Sequence, residues 1–439
     1  MLQSSKEYRL CIYRRILYAA LAFGLVVTFL SIYISMWFRM PSTIMVKAGV
    51  DQKLDFHLPA SGKLYRDNSQ VVAENGIAGK YQSTATVDGN SIPVNLNNPV
   101  TVKASQVDTY KLSLKLFGVL PFKEVHVEVI EDRKLKPIGL PIGIYVKTKG
   151  VLVVGVGDFE GEGGKKEYPA KYVFQPGDYI LEMNDEIITE KKQLMEKISH
   201  SNGQESVFKI CRGGQELMIK AKPMPNQNGE YKMGIWIRDN AQGVGTMTYV
   251  DENGCFGALG HGINDVDTGN LMEIAEGTLY HTEIISIKKG SSGDPGELTG
   301  FIEYDDTNVF GAITGNSQRG VFGICDPKII EESDEEYLPI ALKQDIRLGE
   351  ATVICSLGDY VKSYEAEIVD IHLENDNVNR GIVIEITDPE LLARTGGIVQ
   401  GMSGSPIIQD GKLVGAVTHV LVNDPTRGYG IFIENMLEH

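Results

Sequence analysis

The sequence predicts a mainly β protein that follows one N-terminal apolar helix. Three observations support this fold class: short runs that alternate apolar and polar residues, 48 glycines and 17 prolines along the chain, and almost no helical periodicity after Met233. A chain of 439 residues suits two or three domains of ordinary size. We therefore expect β domains in series behind the helix.

The composition is that of a globular protein, with 42% hydrophobic and 23% charged residues. A formal net charge of −16 argues against binding nucleic acid, which needs clustered Lys and Arg. Five scattered cysteines without a C-x-x-C pair do not predict a zinc or redox site, so we expect no metal and no cofactor. We interpret them as small buried hydrophobes and leave a Cys325–Cys355 disulfide open.

The N-terminal region predicts a membrane anchor. Residues 16–38 carry no charge, and 23 apolar residues can cross the hydrocarbon core as a helix. Basic residues precede this run at Lys6, Arg9, Arg14 and Arg15. The positive-inside rule then leaves residues 1–15 in the cytoplasm and exports the rest, giving a single-pass protein of the cell membrane. A cleavable signal peptide is the alternative, but the run is long and lacks a small-x-small cleavage site.

Residues 45–132 predict a small antiparallel β domain. Stretches such as STATVDG and YKLSLKLFGV alternate apolar and polar side chains, with Asn, Gly and Pro between them. No pattern of catalytic residues stands out there. We expect this β-rich linker domain to space or regulate the domains C-terminal to it.

Residues 136–224 resemble a PDZ domain. The signature is a Φ-G-Φ loop at Ile142, Gly143 and Ile144, followed by the G-D-x-I-x-x-x-N stretch that begins at Gly177. The resemblance implies a groove whose loop amides hold a peptide carboxylate, so a peptide or a protein C-terminus is the expected partner. The alternative is a groove filled by the protein's own chain.

The stretch GMSGSP at 401–406 predicts a nucleophile turn within a β domain at 233–439. An apolar strand, an Asp-Gly hairpin and a second strand come directly after it. This order resembles the nucleophile segment of chymotrypsin-like serine peptidases, which implies a double β-barrel. Ser403 is then the nucleophile, and the N–H groups of Gly401 and Ser403 form the oxyanion hole. Ser292 in GSSGDP is a rival, but acidic residues follow it where Ser403 precedes an apolar strand.

A serine nucleophile needs a base and a group that orients the base. His261 lies between glycines in GALGHGIND, directly after an apolar strand, and is the predicted base. Asp388 ends a strongly apolar strand shortly before Ser403 and is the predicted third member. Asp265 and Asp267 are rivals for that role, but residues so near His261 more often brace their own loop.

Several stretches together resemble the sporulation stage IV protein B family of serine peptidases. They are FGALGHGINDVDTG (256–269), KKGSSGDPGELTG (288–300) and TGGIVQGMSGSPI (395–407), behind an anchor and a PDZ-like region. The resemblance places the triad on His261, Asp388 and Ser403. It implies a peptidase of the inner forespore membrane that faces the intermembrane space, cuts and releases itself, and then cleaves a regulatory membrane protein. That cleavage leads to activation of the late mother-cell sigma factor.

These patterns support two functional hypotheses. The first is an anchored, self-cleaving serine endopeptidase whose substrates are itself and a regulatory membrane protein. The alternative is a catalytically inactive PDZ scaffold that binds peptide termini. Labelling of Ser403 by a serine-directed phosphonate separates the two.

Overall fold

A computed structural model describes residues 2–438, except 55, 57, 67–90, 105, 334, 359 and 374–376. The chain forms two compact units. One comprises residues 1–132, 342–345 and 372–376, and the other comprises 133–341, 346–371 and 377–439. Strands dominate both units, which confirms the mainly β fold class.

The first unit combines a long helix with a small sheet. Its elements are α1 (Leu2–Arg39), β1 (Thr43–Lys47), β2 (Gln52–Leu54), β3 (Ala60–Arg66), β4 (Ser91–Asn95), β5 (Val100–Val102), β6 (Thr109–Leu116), β7 (Leu120–Ile130) and a 3-10 turn at Lys343–Asp345. The five-stranded sheet has the order β1-β7-β6-β3-β4. Inward residues alternate along each strand, as the period of two in the sequence predicts. One pair, β1 with β7, is parallel, whereas an antiparallel region was expected.

Helix α1 is the one described helix that is long and apolar enough to cross a membrane. The stretch Tyr13–Arg39 has a mean hydropathy of 2.2 over its most apolar window. A helix apolar on all sides requires either a protein core or lipid around it. Most of this stretch is exposed in the isolated chain.

Early in the second unit, two 16-residue strands flank an inserted segment. The first elements of this unit are β8 (Lys134–Pro137), β9 (Pro141–Val156), β10 (Phe159–Glu160), a 3-10 turn at Glu162–Gly164, β11 (Lys166–Glu167), β12 (Tyr179–Met183), β13 (Glu186–Ile187), α2 (Lys191–Ser199), β14 (Ser206–Arg212), β15 (Gln215–Ala221), β16 (Met224–Pro225), β17 (Tyr231–Lys232) and β18 (Ile235–Val250). Strands β9 and β18 pair antiparallel along most of their length. Residues 157–234 therefore form an insertion in one long hairpin.

The inserted segment has its own small core, and polar residues of the G-D-x-I-x-x-x-N stretch make hydrogen bonds within this segment. Buried Asp178 receives two hydrogen bonds of 2.7 Å from the Arg212 guanidinium, which ties β12 to β14. Asn184, at a positive φ of 52°, accepts a hydrogen bond from the Val207 amide. Helix α2 buries Leu194 and Ile198, which are four residues apart and lie on one face.

The structure places Ile142, Gly143 and Ile144 away from this segment, inside β9. Gly143 lies opposite Val244 on one side and Tyr280 on the other. Strands thus pair with this part of β9 along both edges, and the two isoleucines are buried. The three residues do not form the expected carboxylate-binding loop.

The remaining strands build two barrels. They and their helices are β19 (Cys255–Ala258), β20 (Ile274–Lys288), β21 (Glu297–Ile302), a 3-10 turn at Asp306–Asn308, β22 (Val309–Ser317), β23 (Gly320–Cys325), α3 (Pro327–Glu332), β24 (Leu338–Pro339), β25 (Gly349–Ser356), β26 (Val361–Ile371), a 3-10 turn at Val378–Arg380, β27 (Ile382–Ile386), α4 (Pro389–Thr395), β28 (Pro406–Gln409), β29 (Lys412–Leu421), β30 (Asp424–Phe432) and α5 (Ile433–Leu437).

Each barrel closes with six strands, which confirms the predicted double barrel. The first follows β9-β20-β22-β23-β19-β18 and closes through the β9–β18 pair. The second follows β25-β26-β27-β30-β29-β28. Because β9 precedes the inserted segment, the first barrel begins at Pro141 and not near residue 233.

The cysteines follow the expectation in part. Cys211, Cys325 and Cys355 are buried and free, so Cys325 and Cys355 form no disulfide. Cys255 is exposed, contrary to the expectation that the cysteines are buried.

Candidate active site

The turn that carries Ser403 connects α4 to β28 and is fixed by the first barrel. The Thr246 amide of β18 donates to the Ser403 carbonyl at 2.9 Å, and the Thr246 hydroxyl donates to the Gly401 carbonyl at 2.8 Å. Gly404 has φ +99°, and a Cβ there would lie 2.0 Å from the Thr246 carbonyl oxygen. Glycine is therefore required at 404 by both conformation and space.

The backbone amides of this turn differ in their hydrogen bonds. The Met402 amide donates to the Val399 carbonyl at 3.1 Å, and the Gly404 amide donates to the Val417 carbonyl at 2.7 Å. Within the described ranges, the N–H groups of Gly401 and Ser403 make no such hydrogen bond. The amides of Gly401 and Ser403, on either side of Met402, can supply the pair of donors that an oxyanion needs.

His261 lies in the turn after β19, and this turn packs tightly on the second barrel. Leu259 and Gly260 both have φ +67°. A Cβ at residue 260 would lie 2.9 Å from the Thr418 methyl group of β29. A side chain at 260 would therefore push the His261 turn away from β29.

The His261 ring has one nitrogen engaged. Its Nδ1 lies 3.0 Å from the Gly262 carbonyl oxygen. Burial lowers the pKa of the imidazole, and the Gly262 carbonyl opposes this in part. A neutral ring that donates its Nδ1 proton to this carbonyl leaves Nε2 as a proton acceptor.

His261 and Ser403, one from each barrel, line the same cavity of about 270 Å³. Its other walls are mostly apolar and include Ile144, Val146, Ala241, Val244, Leu259 and Ile263. A second cavity of about 520 Å³ shares Gln242, Gly243, Val244, Gln400 and Gly401 with the first. The Ser403 hydroxyl donates to the Thr418 carbonyl at 2.7 Å, so it must rotate to reach His261.

Residues 229–437 match the model of the SpoIVB peptidase S55 family. This part of the chain belongs to that family of serine peptidases.

The chain is similar to solved structures of the Rv3671c protease of M. tuberculosis. Its inactive form is 15% identical, with 44% of this chain and 81% of that chain covered and a TM-score of 0.23. Its active form is also 15% identical, with coverages of 45% and 72% and a TM-score of 0.24. No curated protein sequence matches the chain.

Among the described residues of the S55 peptidase domain, no hydrogen bond or ion pair joins Asp388 to His261. Asp388 is the N-cap of α4, and its carboxylate accepts from the amides of Glu390 and Leu391, both at 2.9 Å. Strand β27 leads to it from Ile382, six residues earlier, which is about 20 Å of extended chain. The turn that contains Asn379 contacts the His261 turn and comes just before the first residue of β27, Ile382. Asp388 comes after the last residue of β27, at the opposite end of the strand.

The rival residues lie in other surroundings. Asp265 is buried, forms an ion pair with Arg238 and accepts from the Thr268 amide at 2.9 Å, so it braces its own loop as expected. Asp267 also pairs with Arg238. Ser292 is exposed and donates to the Asn423 carbonyl at 2.9 Å.

The structure adds two site residues that the sequence analysis missed, Asn379 and Thr418. Buried Asn379 donates to the carbonyls of Gly260 and Gln318 and accepts from the Thr418 hydroxyl at 2.7 Å. The Thr418 carbonyl in turn holds the Ser403 hydroxyl. A chain of contacts thus joins the His261 turn to Ser403. No local pattern marks Asn379, because its partners are distant in sequence.

His419 also lies beside the site. Its ring centroid is 5.1 Å from that of His261. Desolvation, together with His261 and Arg380, lowers the pKa of His419 to about 4. The site therefore holds two neutral imidazoles at pH 7.

Proposed function

We propose that the chain is a membrane-anchored serine endopeptidase in which Ser403 is the nucleophile and His261 the general base. The observation that carries the proposal is the shared cavity, which brings these two side chains together from separate barrels beside the free amides of Gly401 and Ser403. Its apolar walls and the adjoining second cavity suit an extended peptide.

The reaction begins when the Ser403 hydroxyl leaves the Thr418 carbonyl and turns to His261 Nε2. Its oxygen attacks the scissile carbonyl carbon while Nε2 takes the proton, and the Gly401 and Ser403 amides stabilise the oxyanion. The imidazolium then protonates the leaving amine, which breaks the peptide bond. Water hydrolyses the acyl-enzyme by the same route in reverse.

The third member of the triad, the group that orients His261, has two candidates. The family resemblance proposes Asp388, whereas the contacts favour the Gly262 carbonyl, which lies 3.0 Å from Nδ1. A carbonyl can fix the tautomer but adds no negative charge beside the imidazolium. We propose that the Gly262 carbonyl holds the ring in the conformation described.

The biological setting is proposed from the family. Helix α1 anchors the chain in the inner forespore membrane with residues 1–15 in the cytoplasm. The enzyme first cuts itself between Phe38 and the PDZ-like region and then cleaves a regulatory membrane protein in the sigma-factor pathway. A peptide terminus would fit the cavity of about 460 Å³ beside α2, lined in part by Met195, Ile198 and Trp236.

The experiment compares the full-length chain with Ser403→Ala by intact mass spectrometry in vesicles. We expect the unaltered chain to shorten itself and Ser403→Ala to stay intact, because loss of the nucleophile costs several orders of magnitude in rate. Ser292→Ala is the matched control, since it lies in the same G-x-S-G-x-P form, and it should shorten like the unaltered chain. Equal shortening by Ser403→Ala would remove the proposal.

One observation favours the alternative of an inactive scaffold. The Ser403 hydroxyl is bound to the Thr418 carbonyl and makes no described hydrogen bond to His261. A serine-directed phosphonate separates the two functions, because it labels only a serine that a base can activate. Labelling of Ser403 supports the peptidase, and an unlabelled chain supports the scaffold.

A further inference from the structure

The hairpin between β6 and β7 ends in exposed apolar side chains. Residues 117–120, here called the hairpin tip, include Phe117, Val119 and Leu120 with exposed fractions of 61%, 76% and 42%. The turn is well formed, since the Phe117 amide donates to the Pro59 carbonyl at 2.8 Å and the Val119 amide to the Leu116 carbonyl at 3.1 Å. Tight turns usually carry small polar residues. Three exposed apolar side chains at this turn therefore indicate contact with an apolar partner.

The direction of β7 shows which way the tip points. Strand β1 leaves the C-terminal end of α1 and runs parallel to β7, with Thr43 opposite His126. The N-terminal end of β7 therefore lies on the side of the sheet where α1 ends. Lys123 confirms this direction, because its ammonium group donates to the Met40 carbonyl at 2.6 Å.

Phe122 brings β7 alongside α1 itself. Its ring packs edge-on against Tyr33 and Trp37, with centroid distances of 5.7 Å in both cases. Tyr33 lies six residues before Arg39, which is about 9 Å along the helix from its end. Phe122 is therefore level with the last turns of the apolar helix, and the hairpin tip lies further along β7 in the same direction.

The level of Tyr33 and Trp37 is that of a membrane interface if α1 spans the bilayer. Aromatic residues concentrate where the hydrocarbon core meets the headgroups. Lys115 is exposed and lies two residues before the tip, where its charge suits anionic headgroups. Apolar side chains at the end and a basic residue behind them are the arrangement of an interfacial membrane contact.

We propose that the hairpin tip inserts into the extracytoplasmic leaflet beside α1. The inference rests on the proposed anchoring of α1 and adds a second membrane contact that belongs to the β domain. This contact would persist after a cut that separates the β domain from α1. The partner is the lipid bilayer, recognised through three apolar side chains and the adjacent lysine.

The test measures depth in the bilayer with full-length protein. Ser403→Ala prevents self-cleavage, and Cys11→Ser and Cys255→Ser remove cysteines that would compete for the label. Single cysteines at Val119, Val107 or Gly24 carry the environment-sensitive fluorophore NBD. The protein is placed in vesicles of phosphatidylcholine and phosphatidylglycerol that contain 5-doxyl or 12-doxyl lipid. Val107 is the matched control, since it is exposed just beyond the other end of β6, whose 8 residues span about 26 Å.

We expect 5-doxyl lipid to quench the label at 119 at least twofold more than the label at 107, and Phe117→Ser to reduce that difference. Gly24 reports the anchor separately, because it lies in the middle of α1 and should be quenched by 12-doxyl lipid. If the label at 24 is quenched but the labels at 119 and 107 are quenched equally, the inference is overturned and the anchor stands. That result is expected if the tip binds a protein instead. No quenching at 24 would overturn both.

Discussion

At the residue scale, the site depends on a few side chains whose partners come from distant strands. Ser403 and His261 line one cavity, where Thr246 fixes one turn and Asn379 holds the other. Asp388, although close to Ser403 in sequence, is engaged at the start of α4. Its role at the histidine therefore stays a prediction that experiment must decide.

The role of Asp388 is tested by Asp388→Asn beside Asp388→Ala. Asn is as good an N-cap as Asp but carries no charge. If Asp388 acts through α4, Asn should keep kcat/KM within a few-fold and Ala should cost about 1 kcal/mol in the free energy of unfolding. A loss of about 10⁴-fold in kcat for a well-folded Asp388→Asn would instead make Asp388 the triad member.

The pH dependence of activity follows from the burial of His261. A general base works only when neutral, and burial lowers the pKa of this imidazole below its usual 6.5. We therefore expect kcat/KM to stay near its maximum at pH 6.5 and to fall only at lower pH. His200→Gln, an exposed histidine at the end of α2, should leave the profile unchanged. An acid midpoint above 6.5 would contradict the prediction.

At the element scale, close approaches of backbone join the two barrels. The His261 turn packs on β29 through Gly260, and the Ser403 turn packs on β18 through Gly404. The 3-10 turn at 378–380 adds Asn379 between them. Site geometry therefore depends on how these turns contact each other, as well as on the catalytic side chains.

The contribution of the Asn379 turn is tested by Asn379→Ala. The change removes the side-chain amide that donates to the carbonyls of Gly260 and Gln318, which costs about 1–3 kcal/mol in the free energy of unfolding. It should also lower kcat more than it changes KM, because the His261 turn loses its attachment. Asn435→Ala is the matched control, since it removes a hydrogen bond to Val378 of the same turn. Equal kcat in both variants would reduce Asn379 to a structural role.

At the scale of the whole molecule, the inserted segment and the first barrel share two strands. Strands β9 and β18 continue from the insertion into the barrel, so the two are not domains in series. The part of β18 that holds the Ser403 turn, near Thr246, lies at the end remote from the insertion. The insertion can therefore influence the site through these strands without contributing to it.

This separation predicts that the barrels fold without the insertion. Residues 154–236 can be replaced by Asn-Gly, because Val153 and Ile237 pair across the gap and suit a two-residue turn. Val151, Val153 and Ile237 are changed to Thr, since they would lose their core partners. We expect the variant to hydrolyse an unstructured peptide and its Ser403→Ala form to be inactive. An unfolded circular dichroism spectrum would show instead that the barrel needs the insertion.

The local patterns of the sequence were enough to predict several features of this protein. The uncharged run at 16–38 predicts α1, because helix length and hydropathy are properties of a single segment. Glycines around Ser403 and His261 predict two tight turns for the same reason. The family motifs then predict the peptidase chemistry, and the match over 229–437 agrees with it.

Only the tertiary structure decided which segments pair. The Φ-G-Φ pattern at 142–144 suits a loop or a buried strand equally, and pairing with β18 and β20 makes it a strand. The engagement of Asp388 at the start of α4 and the position of Asn379 likewise became visible only in the folded chain. Such contacts join residues far apart in the chain, and a local pattern of side chains carries no information about which distant strand lies beside it.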